Sequence, residues 1–201
     1  MVQEKSCLIK KLIMKRNVLL RYKILKCRKG LNARFGSGIK KYSGLRLMET
    51  FFRFNELAKA KEQLNNIMNY AVKSDRWIKE DPSVIFRFHQ SMRSFVRAGY
   101  LIKLKEKKQA FPVRTENTSP LLPGLLSEKE YRNPLLVFKK AFKEYSIEEF
   151  DYFMSGIVYF SLGVYDNVPE KNMISPYIHL TKMLDAAHLI LERQKNNNRK
   201  L

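Results

Sequence analysis

Apolar residues recur every three or four positions through most of this chain, which is the repeat of an α-helix with one buried side. Two long segments show the repeat most clearly, at residues 56–74 and near the C-terminal end. Neither half of the chain contains a convincing alternation of apolar and polar residues, the pattern that predicts a β-strand. The two apolar stripes are Leu57, Ala60, Leu64, Ile67, Met68 and Ala71, and Tyr177, Leu180, Met183, Leu184, Ala187 and Leu191. With 45% hydrophobic residues among 201, the chain is predicted to be all-α with a packed core.

Capping residues precede the predicted helices. An Asn, Ser or Asp side chain at the N-cap accepts a hydrogen bond from a free amide of the first turn, and Pro is favoured at the next position. Such signals occur at Asp81-Pro82, Asn133-Pro134, the Ser146-to-Glu149 capping box and Ser175-Pro176. They predict helices over residues 82–107, 134–145, 146–165 and 175–193. The apolar run Tyr152–Tyr165 is shorter than the about 18 residues of a membrane span, so it is interpreted as a buried core helix.

The two halves of the body have matching apolar patterns. An offset of 90 positions pairs Phe52 with Phe142 and Leu64 with Met154, and an offset of 88 continues the match in the closing helix. Helical periodicity alone produces many such matches, but the order of short helix, long helix, loop and closing helix is also shared. The predicted fold is therefore a helical bundle built from two similar three-helix halves, preceded by a basic helical arm.

This organisation predicts five segments along the chain. Residues 1–43 are the basic arm, partly helical or disordered, and residues 44–108 are the first helical repeat. Residues 109–133 are a Pro-containing linker, residues 134–193 are the second repeat, and residues 194–201 are a disordered polar tail. Each half of about 60 residues is marginal alone, so the halves are expected to pack on each other.

Positive charge is concentrated at the N-terminus. Residues 1–47 hold 14 of the 39 Lys and Arg residues and a single acid, Glu4, so they carry +13 of the formal net charge of +20. An amphipathic helix is predicted from about Lys5 to Lys26. Such a helix can lie on an anionic membrane surface, pack on a partner or on the body, contact nucleic-acid phosphates, or serve as an organellar import signal. The composition changes at Met48, and a start at this residue would leave residues 1–47 outside the natural protein.

A polyanion site is predicted in the arm and on one helix of the first half. On that helix two arginines lie near Phe86 and Tyr100, in an arrangement that can follow a phosphate backbone or simply form a solvated face. The predicted polyanion-binding residues are Lys10, Lys11, Lys15, Arg16, Arg21, Lys40, Lys41, Arg93 and Arg97.

Catalytic and metal-binding patterns are weak. Asp185, His188 and Glu192 have the spacing of one arm of a carboxylate–histidine metal site, but the corresponding positions of the first half are Arg97 and Tyr100. The two cysteines both lie in the arm and are expected to be reduced. No nucleophile motif and no glycine-rich phosphate loop is recognisable, so no metal, cofactor or catalytic residue is predicted.

The function predicted from the sequence is a non-enzymatic helical binding or interaction module with an unknown protein partner. The alternative is a nucleic-acid-associated protein that contacts phosphates, or an anionic membrane surface, through the arm and the first helical half. A metal-dependent or RNA-cleaving helical enzyme is a third class, for which the sequence offers no site. The chain has no predicted transmembrane segment, and its expected location is the cytoplasm.

Overall fold

A computed structural model describes residues 43–72, 78–105, 124–163 and 172–198. These residues form seven helices and no strand, which confirms the all-α prediction. The basic arm before residue 43 lies outside the described residues. The helices are α1 (Gly44–Phe54), α2 (Leu57–Ala71), α3 (Pro82–Lys105), α4 (Glu128–Arg132), α5 (Leu135–Glu144), α6 (Ile147–Ser161) and α7 (Ile174–Asn198).

The two longest helices, α3 and α7, lie at the centre of the bundle. Each contacts the other, and each also packs against helices on both of its sides. Helices α2 and α6 pack on each other along one side of this central pair, while α1 and α5 lie along the other side. None of the helices in the described part of the chain is both long and apolar enough to cross a membrane.

The core is one continuous apolar cluster that all the long helices share. Leu64 and Leu184, at the centres of the two predicted stripes, are both completely buried. Helices α3 and α5 approach closely at Gly99, where an added Cβ would lie 2.9 Å from the ring of Phe138. A side chain at position 99 would therefore push the two helices apart.

Three predicted helix starts are confirmed. Ser146 and Glu149 form the capping box of α6, with the Ser146 hydroxyl accepting from the Glu149 amide at 3.2 Å. Asn133 Oδ1 accepts from the Leu135 amide at 3.2 Å and opens α5. Asp81 Oδ1 accepts from the Ser83 amide at 2.8 Å, and this hydrogen bond lowers the pKa of the Asp81 carboxyl.

The start of α7 differs from the prediction. Asn172 Oδ1, rather than Ser175, accepts hydrogen bonds from the Ile174 and Ser175 amides. At its other end α7 continues to Asn198, so the predicted disordered tail begins as helix. Gln194 and Lys195 are good helix formers, and no Gly or Pro follows Arg193 to end the helix.

The predicted linker also contains regular structure, because α4 lies within it. Ser127 and Glu130 form a capping box that opens this helix. The Glu130 side chain is only 2% exposed and receives hydrogen bonds from Lys140 at 2.8 Å and Lys182 at 2.9 Å. Since these lysines belong to α5 and α7, Glu130 connects three helices. Burial raises the pKa of Glu130, but the hydrogen bonds from Lys140, Ser127 and Lys182 outweigh it and lower the pKa to about 2.

Candidate functional site

Helix α6 buries one side and leaves an aromatic side exposed. Phe150, Phe153, Met154, Ile157 and Val158 are buried against the neighbouring helices. On the opposite side, Tyr152 is 67% exposed and Tyr159 is 41% exposed, two turns further along. The sequence-based interpretation of this segment as a buried core helix is therefore wrong for these two tyrosines.

A glycine lies between the two exposed tyrosines. A Cβ added at Gly156 would meet no heavy atom within 4 Å, so the backbone of α6 is open to solvent at this point. Positions 152, 156 and 159 share one side of the helix, because residues three and four apart are neighbours on its surface. A planar or extended ligand can thus approach the backbone between the two rings.

Helix α2 packs on α6 and contributes uncharged polar residues to the surface. Its buried stripe is Ala60, Leu64, Ile67, Met68 and Ala71, as the sequence predicts, and Asn69 is exposed while Asn66 is half-buried. We call the set Asn66, Asn69, Tyr152, Gly156 and Tyr159 the Tyr–Asn face. None of its members carries a charge, but the exposed carboxylates of Glu62 on α2 and Glu148 on α6 each lie one turn away from it.

Two of the predicted polyanion-binding residues lie at the edge between α3 and α6. Arg93 Nη2 contacts Asp151 Oδ2 at 2.9 Å, and Arg97 Nη2 lies 3.8 Å from the same oxygen. Both guanidinium side chains remain about one-third exposed. Two buried atoms of this cluster, Arg93 Nε and Asp151 Oδ1, have no hydrogen-bond partner. The arginines are therefore held in place by one carboxylate and retain an excess of positive charge.

A buried histidine extends the same edge. His89 Nε2 lies 3.4 Å from the Ser155 hydroxyl. Burial lowers the pKa of the His89 imidazole, Arg93 lowers it further, and Asp151 opposes the change. Because His89 pairs with Ser155 while Arg93 pairs with Asp151, α3 and α6 run antiparallel.

The opposite edge, between α2 and α7, has a similar set of contacts. Lys61 Nζ contacts Asp185 Oδ1 at 2.8 Å, and the Asp185 side chain is 2% exposed. Asp185 also accepts a hydrogen bond from the Leu125 amide at 3.4 Å. Beside this pair, the Tyr177 hydroxyl donates to Asn65 Oδ1 at 3.2 Å. Both edges of the Tyr–Asn face are thus fixed by polar contacts.

The three residues with metal-site spacing are not brought together around one point. Asp185 is engaged by Lys61, whereas His188 Nδ1 lies 3.7 Å from Glu192 Oε2 at a cleft of about 440 Å³ between α1, α2 and α7. The His188 ring also packs edge-on against Phe52, with ring centroids 5.4 Å apart. Within the described ranges, no group of three His, Cys, Asp or Glu side chains has a geometry that could hold a metal ion.

Seven of the nine predicted polyanion-binding residues lie outside the described residues. They are Lys10, Lys11, Lys15, Arg16, Arg21, Lys40 and Lys41. Sequence reasoning named Arg93 and Arg97 but missed Tyr152 and Tyr159. Their spacing of seven residues around a glycine was visible in the sequence, but the apolar residues between them concealed which side is exposed.

Comparison with known proteins adds no functional information. No protein-family model matches the chain, no curated protein matches it, and no solved structure matches it.

Proposed function

We propose that this chain is a non-enzymatic helical interaction module and that its contact surface is the Tyr–Asn face. The observation that carries this proposal is the exposure of Tyr152 and Tyr159 beside the open backbone of Gly156. Tyrosine is enriched in interfaces, whereas charged residues are depleted from interface cores. The two exposed rings, with the uncharged Asn66 and Asn69 beside them on α2, have this composition.

We further propose that the bundle is an internal duplication, in which α1 to α3 correspond to α5 to α7. Three pairs of contacts support this correspondence, because the offsets of 90 and 88 convert each contact into another contact. They are Lys61–Asp185 with Asp151–Arg97, Asn65–Tyr177 with Ser155–His89, and Phe52–His188 with Phe142–Tyr100. In the first pair the positive and negative partners are exchanged between the halves.

The proposed duplication allows the α6 part of the Tyr–Asn face to be compared with the corresponding positions of α2. The positions of α2 that correspond to Tyr152, Gly156 and Tyr159 are occupied by Glu62, Asn66 and Asn69. Polar residues at these positions are therefore compatible with the same fold. Exposed aromatic residues, at positions where the corresponding helix carries polar ones, are typical of a contact with a partner.

The proposal is tested by cross-linking in the cell. A photo-reactive amino acid replaces Asn69, which lies on the Tyr–Asn face, and in a matched control it replaces Glu49, which is exposed on α1. We expect specific adducts from position 69 and none from position 49. Equal adduct patterns from the two positions, or none from position 69, would contradict the proposal.

A second candidate function is polyanion binding through the basic arm, and the charge of +13 on residues 1–47 favours it. Each phosphate contact releases counterions, so the affinity of the full chain for RNA or anionic vesicles should fall steeply with salt. Deletion of residues 1–47 should remove most of this binding, and comparison of the two ligands separates nucleic acid from membrane. Unchanged affinity after the deletion, or affinity independent of salt, would contradict this candidate. The proposed location for either function is the cytoplasm, where we expect both cysteines to be reduced.

A further inference from the structure

The cleft between α1, α2 and α7 has the size of a small-ligand site. Its volume of about 440 Å³ lies in the range of about 300–1,000 Å³ that is usual for such sites. We infer that this cleft binds a ligand in which a carboxylate is attached to an aromatic group. The cleft shares no residue with the Tyr–Asn face, so the inference goes beyond the proposed function and does not depend on it.

Aromatic and aliphatic side chains supply the apolar surface of the cleft. The ring of Phe52 packs edge-on against the ring of His188, with centroids 5.4 Å apart. Phe54 is 78% exposed, Leu57 is half-buried and Leu191 is buried. Aromatic rings attract one another in edge-to-face and offset-stacked arrangements. An aromatic group of a ligand therefore finds both ring contacts and apolar area in this cleft.

The two carboxylates that line the cleft already have partners. Glu56 Oε2 lies 3.4 Å from Lys59 Nζ, and Glu192 Oε2 lies 3.7 Å from His188 Nδ1. Since an opposite charge nearby partly balances each carboxylate, the two oppose a bound anion less than free carboxylates would.

Two further cations of the lining remain available to a ligand. Arg53 lies in the last turn of α1 and Lys195 lies in the last turn of α7, and both are exposed. Neither side chain forms an ion pair or a hydrogen bond in the part of the chain that the structure describes. Arg and Lys carry several hydrogen-bond donors and a positive charge. The ligand is therefore expected to carry a carboxylate.

The corresponding place in the second half has polar side chains. In the proposed duplication, Glu144 corresponds to Phe54 and Lys103 corresponds to Leu191. Glu144 Oε2 lies 2.9 Å from His179 Nε2, and Lys103 Nζ donates to a backbone carbonyl of α5 at 3.2 Å. Both polar side chains are thus engaged within the bundle. The first half has apolar side chains at the same two positions, which leaves apolar surface for a ligand.

A second cleft adjoins the first along α7. It has a volume of about 310 Å³, and its lining shares His188, Glu192 and Lys195 with the first and adds Asn196. A ligand longer than one residue can extend into it. The carboxylate can belong to a free small molecule or to the C-terminal residue of a peptide, and both sources are included in the test.

The test uses the full chain and follows the ring signals of its three histidines by ¹H–¹³C NMR at neutral pH. The His188 signal is assigned by its loss in His188→Gln, while His89 and His179 lie outside the cleft and serve as internal controls. The probe is N-acetylphenylalanine. Its matched controls are N-acetylphenylalaninamide, which lacks the charge, and acetate, which lacks the ring.

We expect N-acetylphenylalanine to shift the His188 signal alone, with a dissociation constant of about 1 mM, as is typical of a ligand of about 15 non-hydrogen atoms. The amide and acetate should each bind at least about threefold to tenfold more weakly, because each lacks one of the two groups that the cleft recognises. No movement of the His188 signal at about 10 mM acid, or equal affinity for the acid and its amide, overturns the inference.

A charge variant tests the two available cations. Arg53→Gln/Lys195→Gln should weaken binding of the acid by about threefold to tenfold and leave binding of the amide unchanged. The matched control is Arg46→Gln/Lys129→Gln, which removes two exposed cations outside the cleft and should change affinity by less than about twofold. Thermal unfolding checks that each variant is folded. Equal losses in the two folded double variants would contradict recognition of the carboxylate by the cleft.

A short peptide that ends in phenylalanine distinguishes the two sources of the carboxylate. Tighter binding of this peptide than of N-acetylphenylalanine assigns the ligand to a peptide C-terminus, because the additional residues reach the adjoining cleft. Equal affinity assigns it to a free small carboxylate.

Discussion

The buried carboxylate of Glu130 should make the stability of the bundle dependent on acidity. Its hydrogen bonds to Lys140, Lys182 and the Ser127 amide lower its pKa from 4.5 to about 2. A depressed carboxyl pKa in the folded state stabilises the fold above the unfolded-state pKa, and this contribution disappears as pH falls through the folded-state pKa. At 1.36 kcal/mol per pKa unit, and with Lys140 still 57% exposed to screening water, the contribution is about 2–3 kcal/mol.

The perturbation is Glu130→Gln, which removes the charge and keeps the shape. Urea unfolding at neutral pH should give a free energy of unfolding about 2–3 kcal/mol below that of wild type, and the difference should shrink as pH falls from about 5 towards 2. Glu49→Gln, at an exposed position on α1, is the control and should change stability by less than about 0.5 kcal/mol. Equal stability of wild type and Glu130→Gln at neutral pH, with parallel losses in acid, would refute the ionic role of Glu130.

Two further predictions concern packing. Leu64→Ala and Leu184→Ala should each lower the free energy of unfolding by about 2–5 kcal/mol, because both side chains are completely buried. Unchanged denaturant midpoints in both variants would show that these two stripes do not form the core. Gly99→Ala should cost about 1–3 kcal/mol by forcing a Cβ against Phe138. The matched Gly156→Ala should be neutral or stabilising by up to about 1 kcal/mol, since nothing lies within 4 Å and Ala favours helix. If thermal unfolding showed Gly156→Ala to be less stable than Gly99→Ala, the result would contradict the positions of these two glycines in the bundle.

The helices could be predicted from the sequence because their signals are local. The stripe of α2 and the capping box at Ser146 depend only on residues within a few turns of each other. Helix α4 was missed even though its own capping box, Ser127 to Glu130, has the same local form. The nearby prolines of the segment favoured a linker, and the contacts of Glu130 with Lys140 and Lys182 depend on tertiary packing.

The candidate site was less predictable because it depends on which side of a largely apolar helix faces solvent. In α6 both sides carry aromatic residues, so periodicity does not distinguish Phe153, which is buried, from Tyr152, which is exposed. The pairing of Arg93 and Arg97 with Asp151 joins residues more than 50 positions apart, and sequence spacing does not reveal it.

The central claim is that the aromatic residues of the Tyr–Asn face bind a partner and are not required by the fold. The most direct test transfers the corresponding residues of α2 to α6 in the variant Tyr152→Glu/Gly156→Asn/Tyr159→Asn, and measures the yield of adducts from the photo-reactive residue at position 69. An unfolding midpoint equal to that of wild type provides the control for folding. We predict that the adducts are lost while the bundle stays folded. Adducts at the wild-type yield from the folded variant would contradict the claim.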